Sequence, residues 1–416
     1  MDFLKYLAGQ MLSENVILKK DAGFFYIKHN TNSYIEEVFD PGTACFSSED
    51  ISCLQLIYNY VKDNTDVNLQ DIGNIKLLKN WYLITHEKYL STDLVYDKHG
   101  RIGFNNVCEP FREILQIPIA DVLRKIIQKK LNITKSSKPQ IYLTCDFDTL
   151  NIWDRWGFVN FLKQNIKLSF KFDIRQIIYN TFSYFFSRIS IKFNGYLNEN
   201  MFVYSKDSKI TNIAFFLCKP SNSVYDPKID YSNRTIKSFF NKLKSNNVIF
   251  GLHTNYDTAD DPQNIQQQVD AFDRLFNKQP LFNRHHYLRY HFPEYLELLG
   301  NAGIRYDFSL YFPENTSFRA GTCSRYKVWN INTQSPYPVE IIPITLMDGT
   351  FTDYLKCTEQ EAFGLAVKKL DLAMKYSNSI LLLWHNHSTF KYSNILNNYH
   401  PSFYKKIKKY LLTKTL

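Results

Sequence analysis

Apolar runs alternate with amphipathic stretches over the last two-thirds of the chain. Five mainly apolar runs have the length of buried strands; they cover residues 141–144, 213–217, 248–252, 339–344 and 380–384. Between several of them the apolar residues recur at helical spacing; these predicted helices cover residues 235–243, 265–276, 293–299 and 361–375. Repeated strand–helix units favour a parallel sheet or barrel, so we expect an α/β fold.

The first third of the chain has a less regular pattern. Its predicted elements are helices over 3–12, 51–61 and 119–131 and strands over 23–27 and 81–85. The segment 134–139 (Thr-Lys-Ser-Ser-Lys-Pro) is the most linker-like stretch of the sequence. We therefore expect a small N-terminal α/β accessory domain over residues 1–137 and a larger α/β domain over residues 138–416.

Three of the predicted strands end in residues that can carry chemistry. Asp146 and Asp148 follow the first strand, His253 follows the third and His385 follows the last. Each strand end taken singly also fits a turn or a structural histidine. The carboxyl ends of parallel strands share one edge, however, so these side chains should converge. Paired carboxylates need a positive partner, and aspartate with histidine suits a catalytic Zn²⁺-type site.

Composition narrows the function classes. The 416 residues carry a net charge of +10, but the lysines and arginines are scattered, and no nucleic-acid-binding signature is present. The seven cysteines form no CxxC pair, which suits reduced thiols. No signal-peptide pattern and no 18-residue apolar window is found. We expect a cytoplasmic protein that does not bind nucleic acid.

An aromatic and basic segment over residues 174–193 has two interpretations. It could form an amphipathic helix that lies on anionic lipid, which would place the protein peripherally at the inner membrane surface. The alternative, which we favour, is a helix packed on the domain.

The order of motifs resembles the polysaccharide deacetylase superfamily, carbohydrate esterase family 4, with its NodB-homology domain. The matching segments are 144–148 (Thr-Cys-Asp-Phe-Asp), 251–254 (Gly-Leu-His-Thr), 284–287 (Arg-His-His-Tyr) and 383–385 (Leu-Trp-His). A bacterial branch found in surface-polysaccharide gene clusters is similar in two more segments, 303–307 (Gly-Ile-Arg-Tyr-Asp) and 318–323 (Phe-Arg-Ala-Gly-Thr-Cys). The resemblance covers roughly residues 140–395 and implies a distorted (β/α) barrel of the polysaccharide deacetylase type, preceded by the accessory domain.

The resemblance also implies roles for single residues. Asp146 would be the general base and Asp148 the first metal ligand, with His253 as a second ligand. Arg284 would steady the base, and the main-chain N–H of Tyr287 would help to hold the oxyanion. His385 would be the general acid.

The chain departs from the family pattern at one ligand position. The family has a second histidine four residues after the first, and Asp257 stands at that position here. Asp257 or His286 would then complete the metal site. Arg319, Tyr256 and Trp384 are expected to contact substrate, although a salt bridge is the alternative for Arg319.

The resemblance therefore implies a metal-dependent hydrolase that removes N-acetyl groups from an amino sugar or glycan precursor in surface polysaccharide biosynthesis. The metal would be Zn²⁺, with Co²⁺ or Ni²⁺ as alternatives. The substrate would be an N-acetylated sugar on a nucleotide, or a lipid-linked glycan at the inner leaflet. The alternatives are a catalytically silent glycan-binding protein on the same fold, suggested by Asp257, and a nucleic-acid or membrane-surface adaptor, suggested by the net charge.

Overall fold

The structure is a computed structural model of the chain. It describes residues 2–11, 17–21, 24–29, 32–37, 39–63, 72–133, 138–170, 172–204, 209–389 and 401–415. Residues 134–137 of the predicted linker at 134–139 lie outside the described residues.

Twelve strands are described, in two sheets. They are β1 (Ile17–Asp21), β2 (Phe24–His29), β3 (Asn32–Glu37), β4 (Gln140–Phe147), β5 (Ile210–Phe216), β6 (Ile249–Thr254), β7 (Phe282–His285), β8 (Tyr306–Asp307), β9 (Tyr326–Asn330), β10 (Ser335–Ile341), β11 (Leu346–Met347) and β12 (Ser379–His385). The first three form an antiparallel sheet, and the other nine form one sheet in the order β11-β12-β4-β5-β6-β7-β8-β10-β9. Every neighbouring pair in this larger sheet is parallel except β10 and β9.

Twelve α-helices are described as well. They are α1 (Asp2–Met11), α2 (Ser48–Asp63), α3 (Asn74–Thr85), α4 (Phe111–Ile114), α5 (Ile119–Lys130), α6 (Ile152–Ser169), α7 (Ile174–Phe186), α8 (Arg234–Ser245), α9 (Asn264–Phe276), α10 (Tyr295–Asn301), α11 (Glu359–Tyr376) and α12 (Pro401–Thr415). No helix in these ranges is both long enough and apolar enough to cross a bilayer. The mixed α/β class is confirmed, and the large sheet curls into a half barrel with β11 and β9 as its edges.

The strands of the large sheet have two apolar faces. In β4, Leu143 and Cys145 face the main core, whereas Tyr142 belongs to a second buried cluster together with Phe215 of β5 and Leu383 of β12. We call the face of this second cluster the inner face. Because side chains alternate along a strand, the inner face of β4 also carries Thr144 and Asp146, and that of β12 carries His385.

One sequence prediction in the N-terminal part is wrong. Residues 81–85 are the last turns of α3, not a strand. All five side chains are buried, so the helix shows no polar face at its end. A short run of apolar residues without periodicity cannot distinguish a buried helix from a strand.

The N-terminal part packs directly on the large sheet. Helices α3 and α5 contact the segment at 319–321, and buried residues of both parts belong to one continuous hydrophobic core. Arg319 and Glu87 form a buried ion pair across this contact, with Nε and Oε1 2.6 Å apart. The predicted boundary near residue 137 remains a prediction.

Candidate metal centre and its flanking acid–base groups

Three side chains from the ends of β4, β6 and β7 meet at the carboxyl edge of the large sheet. Asp148 follows β4, His253 is in β6 and His286 follows β7. One donor atom from each lies within 4.8 Å of the other two. Parallel pairing of these strands explains the convergence, because it brings their carboxyl ends to one edge.

The protonation of His253 is fixed by its neighbour. Its Nδ1 lies 2.7 Å from the main-chain oxygen of Arg284, which can only accept, so Nδ1 carries the proton. The lone pair of Nε2 then faces Asp148, whose Oδ1 is 3.3 Å away. Burial lowers the pKa of His253, but the charges of Asp146 and Asp148 raise it overall.

His286 is oriented in the same way. Its Nδ1 lies 2.5 Å from Oδ1 of Asp226, and its Nε2 lies 3.7 Å from Oδ1 of Asp148. Asp226 is buried and also accepts the main-chain N–H of Tyr256 at 2.9 Å. A carboxylate behind a ligating histidine fixes the ring and makes it a better ligand.

The donor set fits a divalent metal. Oδ1 of Asp148 and Nε2 of His253 are buried, and neither has a hydrogen-bond partner among the described residues. Leaving such atoms unpaired is costly, and a cation between them would remove the cost. Burial raises the pKa of Asp148, yet His286, His253 and His385 together hold it well below its usual range. Two imidazoles and one ionised carboxylate are ligands that Zn²⁺ accepts, with a position left open.

Asp146 and Arg284 form a buried pair on the inner face beside this group. Nη1 of Arg284 donates to Oδ1 of Asp146 at 2.6 Å, and Nη2 donates to Thr144 at 2.8 Å. The guanidinium also lies 4.5 Å from the ring centre of Phe215 and donates to the main chain of Phe308. With these contacts Arg284 is held rigidly, and Oδ2 of Asp146 remains directed toward His253 at 3.7 Å.

His385 flanks Asp148 as well. Its Nε2 lies 3.8 Å from Oδ2 of Asp148, and its Nδ1 lies 2.8 Å from Oδ1 of Asp348. Burial lowers the pKa of His385, but Asp348 and Asp148 raise it to about 10. Nδ1 faces the Asp348 carboxylate and carries one proton, so the second proton of the charged imidazole is held on Nε2.

Tyr287 lines the same cavity in an unusual backbone conformation. Both Tyr287 (φ 59°) and Leu288 (φ 54°) are in the left-handed region, which costs about 1–2 kcal/mol for such residues. Nη1 of Arg101 donates to the main-chain oxygen of Tyr287 at 2.9 Å, and Arg101 is held in turn by Asp97 and by the hydroxyl of Tyr354. Arg101 belongs to the N-terminal part, so both parts of the chain build this wall.

The group lies in a cavity of about 240 Å³. Its wall away from the donor atoms is aromatic and polar, and includes Arg101, Tyr225, Tyr287, Tyr354, His387 and Ser388. This volume lies just below the range of about 300–1,000 Å³ that is typical of ligand pockets.

Four residues that the sequence analysis placed in the site lie elsewhere. Asp257, in the short helix Tyr256–Ala259, accepts the main-chain N–H of Asn222 and is not in the donor group. Trp384 is on the opposite face of β12 from His385 and packs on α12. Arg319 is paired with Glu87 in the interior. Tyr256 lies behind the wall, where its hydroxyl contacts Nδ1 of His99.

Three residues of the site were not singled out from the sequence. Asp226 and Arg101 are on loops, where no periodic pattern marks the end of a strand. Asp348 follows the short strand β11 and thus had the same signal as Asp146, a carboxylate after an apolar run. The mainly apolar run at 341–347 thus predicts a strand end at Asp348.

Comparisons with known proteins add little to this geometry. No protein-family model matches the chain, and no curated protein shows significant similarity to it. Among solved structures, it is similar to a protein from Mycobacterium smegmatis that is provisionally described as a polysaccharide deacetylase. That likeness has a TM-score of 0.38 and 10% sequence identity, and covers 68% of this chain and 86% of the other. Inference about function therefore rests on the residues of the site.

Proposed function

We propose that the chain is a metal-dependent hydrolase that removes the N-acetyl group from an amino sugar or glycan precursor. One observation carries the proposal: the buried, unpaired donor atoms of Asp148 and His253 lie beside His286, between Asp146 with its Arg284 and His385 with its Asp348. A metal-ligand set flanked by a carboxylate and by a protonated imidazole is suited to amide hydrolysis.

Asp148, His253 and His286 would hold the metal, with Zn²⁺ favoured and Co²⁺ or Ni²⁺ as alternatives. When bound, a divalent metal supplies Lewis acidity to water and to the acetyl carbonyl. Oδ2 of Asp146 accepts the proton of the attacking water while Arg284 holds Oδ1. The main-chain N–H of Tyr287 donates to the oxyanion, in a turn held by Arg101.

Collapse of the tetrahedral carbon breaks the C–N bond, and the amine must gain a proton as it leaves. His385 is the proton donor, because Asp348 fixes its Nδ1 proton and leaves Nε2–H directed into the cavity. The products are acetate and a free amino sugar. Single proton donors and acceptors of this kind each contribute about 10²–10⁴-fold to the rate.

The wall of the cavity supports a sugar as the substrate. Tyr225 and Tyr287 pack edge to face, with ring centres 5.2 Å apart, and line the cavity together with Arg101, whose guanidinium is paired with Asp97. We propose an N-acetylated sugar carried on a nucleotide or on a lipid as the substrate. Asp257 suggested a silent glycan-binding protein because it replaces a histidine of the family pattern. The donor group contains His286 as its second histidine, which supports the enzyme over that alternative.

Acetate release tests the proposal. Purified protein with added Zn²⁺, Co²⁺ or Ni²⁺ is incubated with nucleotide-linked and lipid-linked N-acetylhexosamines. We expect acetate from at least one donor, and a loss of about 10²–10⁴-fold in Asp146→Asn and in His385→Gln. His291→Gln is the matched control, since His291 is exposed and lies outside the cavity wall. Absence of acetate from every donor with every metal would refute the hydrolase.

A further inference from the structure

Helices α6 and α7 form a hairpin with an extensive apolar surface. Among the described residues, twelve of the twenty-two exposed large apolar side chains lie between residues 158 and 189. They are Phe158, Val159, Leu162, Ile166, Phe170, Phe172, Ile174, Ile178, Phe182, Phe185, Phe186 and Ile189. Phe170 and Phe172, in the turn between the helices, are 81% and 88% exposed. Exposed apolar surface this concentrated marks an interaction site.

The hairpin exposes these residues although it also has a packed side. Trp153 and Phe161 form a small core of its own with Tyr196, separate from the two clusters of the large sheet. Nε1 of Trp153 donates to the buried Ser183 hydroxyl at 2.9 Å, which joins the two helices. The apolar surface is therefore additional to the one that the hairpin uses to fold.

Charge indicates what covers this surface. Residues 152–193 contain seven lysines and arginines against two aspartates and no glutamate, so this segment carries a net charge of +5, half of the chain's +10. Lys163, Lys167 and Arg175 are exposed on the same helices. A second copy of the hairpin would bring like charges together, whereas an anionic lipid surface attracts them and accepts aromatic side chains at its interface.

The base of the hairpin is fastened next to the candidate metal centre. Asn386, which follows His385, donates through Nδ2 to the main-chain oxygen of Thr149 at 2.7 Å. Nδ2 of Asn194 donates to the main-chain oxygen of Leu150 at 2.8 Å. Both bonds hold the chain that runs from Asp148 into α6.

We propose that the hairpin 152–193 docks the protein on an anionic membrane surface, with Phe170 and Phe172 inserted at the interface. The docking does not depend on whether the proposed reaction takes place. Combined with that reaction, it favours a lipid-linked substrate over a nucleotide-linked one, because the docking element begins at the edge of the site.

Vesicle sedimentation with the full chain tests the docking. Vesicles of phosphatidylcholine are compared with vesicles that also contain phosphatidylglycerol, at low and at high salt. We expect binding to the anionic vesicles that weakens with salt. Phe170→Ser with Phe172→Asn should weaken it at least tenfold; asparagine suits position 172, where φ is 54°. Lys163→Gln with Lys167→Gln should weaken it about 30-fold.

Two double variants serve as matched controls. Lys405→Gln with Lys409→Gln removes two exposed lysines of α12, and Val95→Ser with Leu365→Ser removes two exposed apolar side chains elsewhere. Both should bind vesicles as the unchanged protein does. The proposal is overturned if the unchanged protein ignores anionic vesicles or if the control pairs weaken binding as much as the hairpin pairs do. It is also overturned if light scattering shows a dimer that the Phe170 and Phe172 changes dissociate.

Discussion

Asp226 should control metal affinity although it is not itself a ligand. Its carboxylate accepts from Nδ1 of His286 at 2.5 Å, and it also accepts the main-chain N–H of Tyr256 and the hydroxyl of Ser221. In Asp226→Asn an NH₂ group, which can only donate, replaces one of the two carboxylate oxygens. The negative charge behind the imidazole then disappears, and a donor that faced a carboxylate oxygen faces an N–H instead.

The size of the effect follows from this burial. Side chains of Asp226 and His286 are 3% and 6% exposed, so water cannot readily replace the lost acceptor. Changes behind a ligating histidine typically cost 10–100-fold in metal affinity. Since the bond here is short and charge-assisted, we expect the upper half of that range, about 2–2.7 kcal/mol.

Competition with a chelator measures the metal affinity of each variant. Asp230→Asn is the matched control, because Asp230 is nearby in sequence and exposed, and bonds only locally to Ser232 among the contacts described. An Asp226→Asn protein that binds metal within about twofold of the unchanged chain would refute this account of His286. If His286→Ala also leaves metal binding intact, His286 is not a ligand.

Three further predictions concern Asp257, Arg319 and Lys369. Asp257→Ala should leave metal binding unchanged, whereas His286→Ala should abolish it; a metal titration of both variants decides this. Arg319→Ala should lower the free energy of unfolding by about 3–5 kcal/mol in urea titrations, because Glu87 is left buried and unpaired; an unchanged midpoint would contradict it. Burial lowers the pKa of Lys369 from 10.5 to about 7. Folding therefore opposes its protonation, so its contribution to stability is greatest above pH 10.5 and decreases as the pH falls to 7. Lys369→Met should remove that part of the pH dependence in denaturation curves; an unchanged slope would contradict the assignment.

The sequence predicted the parts of the site that depend on strand periodicity. An apolar run that ends in a polar residue indicates both a strand and its edge, which is why Asp148, His253 and His385 could be expected to meet. The same alternation explains why Trp384 does not face the cavity, since it precedes His385 by one residue. The substrate contact expected of Trp384 is therefore absent, because its side chain packs on α12.

The partners behind the histidines could not be predicted in this way. Asp226 lies in a loop between β5 and α8, and only the folded chain brings it to His286, 60 residues further on. Asp257 shows the opposite case. Its spacing from His253 would suit a continuous helix, but the chain leaves β6 at Thr254 and forms a short 3₁₀ turn, so spacing by four no longer places two side chains together.

The N-terminal part is integral to the site, wherever its boundary lies. Two successive left-handed residues, Tyr287 and Leu288, persist only if their surroundings hold them. Arg101 bonds the main-chain oxygen of Tyr287, and Arg289 donates to the main-chain oxygen of His99 at 2.6 Å. The turn at 97–101 thus clamps both ends of the strained segment. The proposed oxyanion donor, the N–H of Tyr287, lies in the peptide unit before the Tyr287 oxygen, so Arg101 acts on its direction through the φ and ψ angles of Tyr287.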